Sequence, residues 1–208
     1  MGIIELSRTA VVAVHLQNDI VGPDGAFAPL FREQAERVGV LSAAVRVLGA
    51  ARSAGATVIY TRVAYQPGYT DLVANSPLLS MVAANDCLVD GTNGAAILDE
   101  AAPKPGDIVV TQQRVSGFHG TQLDVLLRSA GVATVVLFGV ATNVSVESTA
   151  RAASDLGYTT VVVSDACSAA SEAAHNAALE SLRLLATVMT SDELVGAFGH
   201  QTAGAVRD

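Results

Sequence analysis

"TVVLFGVATNVSVESTAR", residues 134–151, joins a run of β-branched and apolar residues to a segment of helical composition. The apolar run predicts a buried strand, and the segment after it predicts a helix. Ser145 lies just after the junction. A strand-to-helix turn often presents a nucleophile, but a serine must be activated by a base. The rest of the chain therefore has to supply that base.

Five further apolar runs alternate with segments of helical period along the chain. In one such segment Leu123, Leu126, Leu127 and Ala130 recur at i, i+3, i+4 and i+7. This alternation predicts βαβ units and a three-layer α/β/α sandwich around a six-stranded, mostly parallel sheet. We expect residues 1–208 to form a single domain. The five runs are "TAVVAVHL" (9–16), "TVIYTR" (57–62), "DIVVTQ" (107–112), "TTVVVSD" (159–165) and "ATVMTS" (186–191).

The remaining segments complete the predicted order of elements. The first run is uniformly apolar and predicts a buried, central strand. Residues 64–107 predict a loop with short helices, and Thr190 and Glu193 have the spacing of a capping box for the last helix. An amphipathic helix that ends near Gly55 is predicted from Val38, Leu41, Val45 and Leu48.

Composition limits the classes of partner. The net charge is −8, with 12 Lys and Arg against 20 Asp and Glu, which argues against binding to nucleic acid or anionic lipid. No segment has the length of a membrane span or the pattern of a signal peptide. Cys87 and Cys167 do not form a disulfide framework, so we expect a cytoplasmic protein that acts on small molecules.

Polar residues follow several of the predicted strands. In an open parallel sheet, ligands bind beyond the carboxyl ends of the strands. His15 ends the first strand, Gln112 ends the third, and Ser145 follows the fourth. If Thr142 is the N-cap, Ser145 takes position N3, where unpaired N–H groups and the helix dipole favour an oxyanion.

At these positions the chain resembles the isochorismatase-like cysteine hydrolases, a family that includes nicotinamidases and other amide hydrolases. "VVAVHLQNDI" (11–20) is similar to the family pattern hhhhDMQNDF, and "GTNGAAILDEAAPKPGDIVV" (91–110) to its middle region. "QQRVSGFHGTQLD" (112–124) contains its RxSxF segment, and "GVATNVSVESTAR" (139–151) is similar to GVxTNVCVExTAR. The resemblance runs nearly end to end and implies the isochorismatase-like hydrolase fold.

All three positions of the family's Asp, Lys and Cys triad are different in this chain. His15 stands at the position of the aspartate, Gln112 at that of the lysine, and Ser145 at that of the cysteine. In the family scheme the aspartate takes the thiol proton and the lysine stabilises charge. Backbone N–H groups, one of them beside a cis peptide, hold the carbonyl that the thiolate attacks. Because a serine hydroxyl is essentially never ionised, this scheme does not transfer unchanged.

Three readings of the altered triad follow. In the first, His15 is the base for Ser145, Gln112 donates a hydrogen bond in place of the ammonium, and the N–H groups of Ala141 and Ser145 hold the oxyanion. This reading predicts amide, ester or related hydrolysis, with a rate that rises through a group near neutral pH. In the second, the protein is catalytically silent and binds a ligand or serves as a structural partner. In the third, His15 as imidazolium protonates a vinyl-ether-type substrate, as the aspartate does in isochorismatases.

Several other residues have an expected place. Phe27 and Phe118 are predicted to line the pocket, and Arg114 to be a structural ion-pair partner. Cys167 is predicted to be a buried small hydrophobe, whereas Cys87 could face the pocket. Residues 60–100 contain no histidine, unlike the metal-binding nicotinamidases, so we expect no metal and no other cofactor. The resemblance also implies a homodimer or homotetramer whose subunits shape each other's pocket.

Overall fold

A computed structural model describes residues 4–205, and the side chains of residues 4–200. Six parallel strands form one sheet in the order β3-β2-β1-β4-β5-β6. The predicted α/β fold is confirmed. The strands are β1 (Thr9–Val14), β2 (Thr57–Val63), β3 (Ile108–Gln112), β4 (Thr134–Val140), β5 (Thr159–Ser168) and β6 (Thr187–Met189).

Helices cover both faces of the sheet. The chain leaves β1 toward β2 and leaves β4 toward β5 in opposite directions, so right-handed connections place the intervening helices α3 and α6 on opposite faces. The helices are α1 (Asn18–Val21), α2 (Ala28–Val38), α3 (Val40–Ser53), α4 (Pro77–Ala84), α5 (Leu123–Ser129), α6 (Glu147–Asp155), α7 (Glu172–Leu182) and α8 (Ser191–Ala205). Within the described residues, no helix is long and apolar enough to cross a membrane.

Most local predictions are confirmed. All six residues of β1 are buried, as expected of a central strand. Leu123 and Leu127 bury the predicted face of α5. The capping box at α8 forms, because the Thr190 N–H donates to Glu193 Oε2 at 2.7 Å and the Glu193 N–H donates to Thr190 Oγ1 at 3.3 Å.

The amphipathic helix predicted from Val38 to Leu48 is wrong in two respects. Gly39, with a φ of 71°, separates α2 from α3. Val38 and Val45 are 42% and 38% exposed, so of the predicted stripe only Leu48 is fully buried. The buried face is instead rich in alanine, because small side chains let α3 lie close to the sheet. It comprises Val40, Ala43, Ala44, Val47, Leu48 and Ala51.

Gly139 brings the ends of β1 and β4 into contact. Its φ is 124°, and a Cβ at this position would lie 2.0 Å from the carbonyl oxygen of Val14. Pairing with β5 also shifts register between Leu137 and Gly139. Only glycine fits this approach. It places the turn that carries Ser145 beside the residue that follows β1.

The residues Gln17, Asn18 and Asp19, which the chain shares with the family pattern, hold the long segment after β2. The buried amide of Gln17 accepts from the Val63 N–H at 2.8 Å and donates to the carbonyl oxygens of Val63 and Ala95 at 2.8 and 2.9 Å. Asp19 Oδ2 accepts from the Leu88 N–H at 2.7 Å. These bonds fix residues 64–107, which contain α4 and a 3₁₀ turn as predicted, against the end of the sheet.

Candidate active site

The predicted site residues come together where the strand order reverses. His15 is the first residue after β1 and Ser145 lies in the turn after β4, and both line one pocket. Gln112, the last residue of β3, is fully buried and does not belong to the pocket wall. The structure thus places two of the three side chains at the pocket and the third behind them.

His15 has a left-handed backbone at the base of the pocket. Its φ is 52°, which is uncommon for a residue with a side chain, and its N–H donates to the carbonyl oxygen of Thr61 at 3.0 Å. The side chain is 5% exposed. Burial lowers the pKa of His15 from 6.5 to about 4, and the interaction with the Gln112 side chain acts in the opposite direction. The imidazole is therefore neutral at pH 7 and able to accept a proton.

Gln112 does not offer a hydrogen-bond donor to the pocket, so that prediction is wrong. Its Nε2 donates to the carbonyl oxygens of Arg114 and Val115, at 2.7 and 3.2 Å, which uses both amide hydrogens. Its Oε1 is buried and, among the described residues, lacks a partner of good hydrogen-bond geometry, as does Nε2 of His15. Gln112 is nevertheless near enough to favour the charged imidazole. The amide therefore presents an acceptor to His15.

Ser145 lies in a π-helical turn, Thr142–Val146, that leads into α6. The residue is 4% exposed. Its carbonyl oxygen accepts from Thr149 Oγ1 at 2.6 Å, and that hydroxyl oxygen accepts from the Gly117 N–H at 3.0 Å, which ties the turn to the RxSxF segment. Among the described residues, no hydrogen bond joins Ser145 Oγ to His15.

The expected cap at Thr142 is wrong. The turn is capped by Ala141, whose carbonyl oxygen accepts from the N–H groups of Val144 and Val146 at 3.2 and 3.1 Å. The side chain of Thr142 points to α7 instead, where its Oγ1 lies 2.8 Å from His175 Nδ1. The peptide between Val140 and Ala141 is cis, as the family resemblance implies. The oxyanion role of the N–H groups of Ala141 and Ser145 stays a prediction, although both residues line the pocket.

The pocket is mainly apolar and has a cavity volume of about 50 Å³. Phe27 lines it, as predicted. Phe118 does not, because its ring stacks on Tyr158, with centroids 6.0 Å apart, and packs against the core of the sheet. The apolar walls come from α2, α4 and the strand ends, and include Phe27, Phe31, Val63, Leu78, Leu79, Val82 and Val140.

Arg114 also lines the pocket and is not the ion-pair partner predicted from the sequence. Its Nη1 donates to the carbonyl oxygen of Val73 at 3.1 Å, and its Nη2 donates to Asn75 Oδ1 at 2.8 Å. Both acceptors are neutral. Among the described residues, no carboxylate forms an ion pair with Arg114. Sequence reasoning missed this uncompensated charge because an arginine's partner is not visible in its own segment.

Neither cysteine is among the described residues that line the pocket. Burial raises the pKa of both Cys87 and Cys167 to about 12, so each thiol stays protonated at neutral pH. Cys87 packs in a hydrophobic cluster with Val82 and Leu88 and does not face the pocket, and Cys167 is buried within β5. In the part of the chain that the structure describes, no three His, Cys, Asp or Glu side chains are grouped so as to hold a metal ion.

Fold and site together define a member of a known hydrolase family. The isochorismatase domain profile matches residues 9–193. The chain therefore belongs to the isochorismatase family of hydrolases.

Individual relatives share this architecture and much of the sequence. The ureidoacrylate amidohydrolase RutB of Azorhizobium caulinodans is 34% identical over 78% of this chain and 77% of that protein. RutB of Caulobacter vibrioides is 32% identical over 97% of this chain and 96% of that protein. A cysteine hydrolase structure from Pseudomonas syringae superposes with a TM-score of 0.85 at 27% identity, covering 96% of each chain. The N-carbamoylsarcosine amidase of Thermoplasma acidophilum has a TM-score of 0.73 at 29% identity, over 89% of this chain and 97% of that one.

Proposed function

We propose that this protein hydrolyses a small-molecule amide, or a related ester, with Ser145 as nucleophile and His15 as general base. The observation that carries the proposal is that a buried, neutral imidazole and a serine hydroxyl line the same apolar pocket. The amidohydrolases among the relatives support an amide as the bond that is cleaved.

In the proposed reaction, His15 accepts the Oγ proton as Ser145 Oγ bonds to the substrate carbonyl carbon. The carbonyl π electrons move to the oxygen, which the N–H groups of Ala141 and Ser145 stabilise. Collapse of this intermediate breaks the C–N bond, and the leaving amine takes the proton from the imidazolium. Water then attacks the acyl-enzyme with His15 as base again, which releases the acid and restores Ser145. Gln112 Oε1 accepts from the second N–H of the imidazolium and stabilises its charge.

The lowered pKa of His15 keeps the imidazole in the unprotonated form that a general base requires, although it also makes the imidazole a weaker base. A pKa of about 4 instead of 6.5 makes the imidazolium about 3 kcal/mol harder to form. Few molecules therefore carry an imidazolium near pH 7, and this counts against the reading in which His15 protonates a vinyl ether. The same shift moves the expected rise in hydrolysis rate from neutral pH to near pH 4.

A second candidate function is ligand binding without catalysis. The missing hydrogen bond between Ser145 Oγ and His15 favours it, because an activated serine needs its base within about 2.6–3.2 Å. In apo enzymes such bonds are often long and tighten only when substrate binds. A chemical probe of serine reactivity separates the two functions.

The test is intact-mass spectrometry after incubation with a fluorophosphonate. We expect one adduct on the wild type and on Ser129→Ala, a control at an exposed serine of α5. Ser145→Ala and His15→Asn should not react, and asparagine is chosen because it tolerates a left-handed backbone. An unlabelled wild type, or labelling that survives Ser145→Ala, contradicts the proposed nucleophile. A screen for ammonia release from small amides then checks the reaction class.

We further propose that the protein acts in the cytoplasm as a homodimer or homotetramer, without nucleic-acid or membrane partners. The acidic net charge supports the absence of nucleic acid. Exposed apolar side chains support an interface between subunits, among them Leu184 at 86% and Val125 at 65% exposure. Light scattering after size-exclusion chromatography measures the mass, and a monomer at micromolar concentration contradicts the assembly.

A further inference from the structure

We infer that Arg114 is a specificity-determining residue that binds an anionic group of the ligand, so that the pocket prefers molecules with a carboxylate distal to the reacting carbonyl. This inference deepens the proposed function and rests on it for the hydrolysis of such ligands. The binding preference itself is testable in a protein that cannot turn over.

The first observation that supports this inference is the charge of the residues that line the pocket. With His15 neutral, Arg114 is the single residue with a formal charge at neutral pH among the described residues that line the pocket. The family pattern places an aspartate and a lysine where this chain has His15 and Gln112. Both of those charges are thus absent from the pocket wall, and the guanidinium of Arg114 is the charged group that remains there, with Asp71 near enough to act on Tyr65 as well. Apolar walls screen such a charge less than water does.

The hydrogen bonds of Arg114 provide the second argument. A guanidinium carries five N–H donors, and two of them are used, one on the Val73 carbonyl oxygen and one on Asn75 Oδ1. The remaining donors form a planar fork that matches a carboxylate. Because both present partners are neutral, a bound carboxylate would be the group that compensates the positive charge.

The position of Arg114 predicts the orientation of the ligand in the pocket. Val73 and Asn75 lie just before α4, and Leu78 and Leu79 from α4 form part of the pocket wall. Arg114 therefore lies on the α4 side, whereas Ser145 lies in the turn after β4. A ligand with its carbonyl at Ser145 would place its far end toward α4 and Arg114. Arg114 could alternatively serve only to tether the segment before α4, and the experiment must separate these roles.

The test compares two ligands of equal chain length, glutarate and pentanamide, by calorimetry in a Ser145→Ala background, where hydrolysis cannot occur. We expect Arg114→Gln to weaken glutarate binding by about tenfold or more and to change pentanamide binding by less than about twofold. Asn75→Ala, which removes one of the two neutral partners of Arg114 and keeps the charge, should leave the preference for glutarate in place. Arg114→Lys, which keeps charge but not the fork, should fall between wild type and Arg114→Gln.

Three results overturn the inference: glutarate binding that is unchanged by Arg114→Gln, an equal loss for both ligands, or an Asn75→Ala variant that loses the preference as Arg114→Gln does. If Arg114→Gln does not fold, Arg114→Lys is compared with the wild type alone. Glutarate binding that is as tight in Arg114→Lys as in the wild type then contradicts binding of the carboxylate by the guanidinium. Failure of the proposed catalysis is visible separately. With Ser145 intact, glutaramic acid would bind with the Arg114 preference and release no ammonia.

Discussion

Gln112 donates from its amide nitrogen to the carbonyl oxygen of Arg114 at 2.7 Å, and this hydrogen bond decides which end of the amide faces His15. Val115 supplies a second carbonyl acceptor at 3.2 Å, so the nitrogen must lie on that side and the oxygen on the other. Oε1 of Gln112 and Nε2 of His15 are both buried and lack a hydrogen-bond partner among the described residues, and the Gln112 side chain favours the charged imidazole. This arrangement favours the tautomer with the proton on Nε2, which leaves Nδ1 to accept a proton.

Replacing Gln112 by glutamate should destabilise the protein instead of creating a stronger triad. A carboxylate would turn one oxygen toward the carbonyl oxygens of Arg114 and Val115, where the present amide donates, and would be buried there. We expect a loss of more than about 2 kcal/mol in the free energy of unfolding at pH 7. Urea denaturation measures it, with Gln122→Glu at the exposed start of α5 as the neutral control. Equal stabilities of Gln112→Glu and the wild type would contradict the assigned amide orientation.

The stability of the protein should fall as the pH drops from about 6.5 to 4. The folded-state pKa of His15 is lowered to about 4, so between these values the unfolded state binds more protons and stability rises with pH. The shift corresponds to about 3 kcal/mol. His15→Asn should lose less stability than the wild type over this pH range, because the contribution of His15 is gone. His119→Asn, a control at an exposed histidine, should lose as much stability as the wild type.

His175, whose pKa is also lowered by burial, is present in both variants and cancels in their comparison. Unfolding curves at pH 7 and pH 4.5 test the difference. Identical pH dependence in His15→Asn and the wild type would show that His15 is not a buried neutral group.

The rate of hydrolysis should increase with pH through a single group near 4 and stay level between about pH 5 and 8. The base must be unprotonated to act. Because burial lowers the pKa of His15 to about 4, the imidazole is unprotonated at any pH above that value. The measurement is kcat/KM across pH 3.5 to 8, within the range where the protein remains folded. A rise centred near pH 6.5 would mean that His15 is solvated in the working enzyme, and a rate that falls with rising pH would favour acid catalysis.

Gly139→Ala should destabilise the protein and disrupt the active site, because it prevents the close approach of the β1 and β4 backbones. The added Cβ would lie 2.0 Å from the carbonyl oxygen of Val14, at a φ of 124° that alanine rarely adopts. We expect a loss of more than about 3 kcal/mol. Gly49→Ala is the matched control, since its Cβ would meet no atom within 4 Å in the exposed face of α3, and it should stabilise by about 0.5–1 kcal/mol. Thermal unfolding compares them, and equal melting temperatures would contradict the close approach of β1 and β4.

Local periodicity predicted α5 correctly and α3 incorrectly, for a physical reason. The leucines of α5 are large and mark its buried face. In α3 half of the buried residues are alanine, which carries little weight in a hydrophobic pattern, while Val45 on another face is exposed. How closely a helix approaches a sheet depends on its packing partners, and those belong to distant segments.

By itself the sequence located the strands and therefore the position of the site, although β1 ends at Val14 and β5 at Ser168 and not where the apolar runs end. Apolar runs specify buried parallel strands wherever they occur, and the residues His15, Gln112 and Ser145 had to gather at the carboxyl edge of such a sheet. The family motifs specified the same fold, which the structure and the relatives confirm.

Only the tertiary structure decided what those side chains can do. Burial makes His15 neutral, two carbonyl groups turn the oxygen of Gln112 toward it, and neutral partners leave the charge of Arg114 uncompensated. Each of these properties depends on groups that are remote in sequence or on the depth of burial. The pKa of a side chain and its free hydrogen-bonding atoms are set by that surrounding environment, which the order of residues does not display.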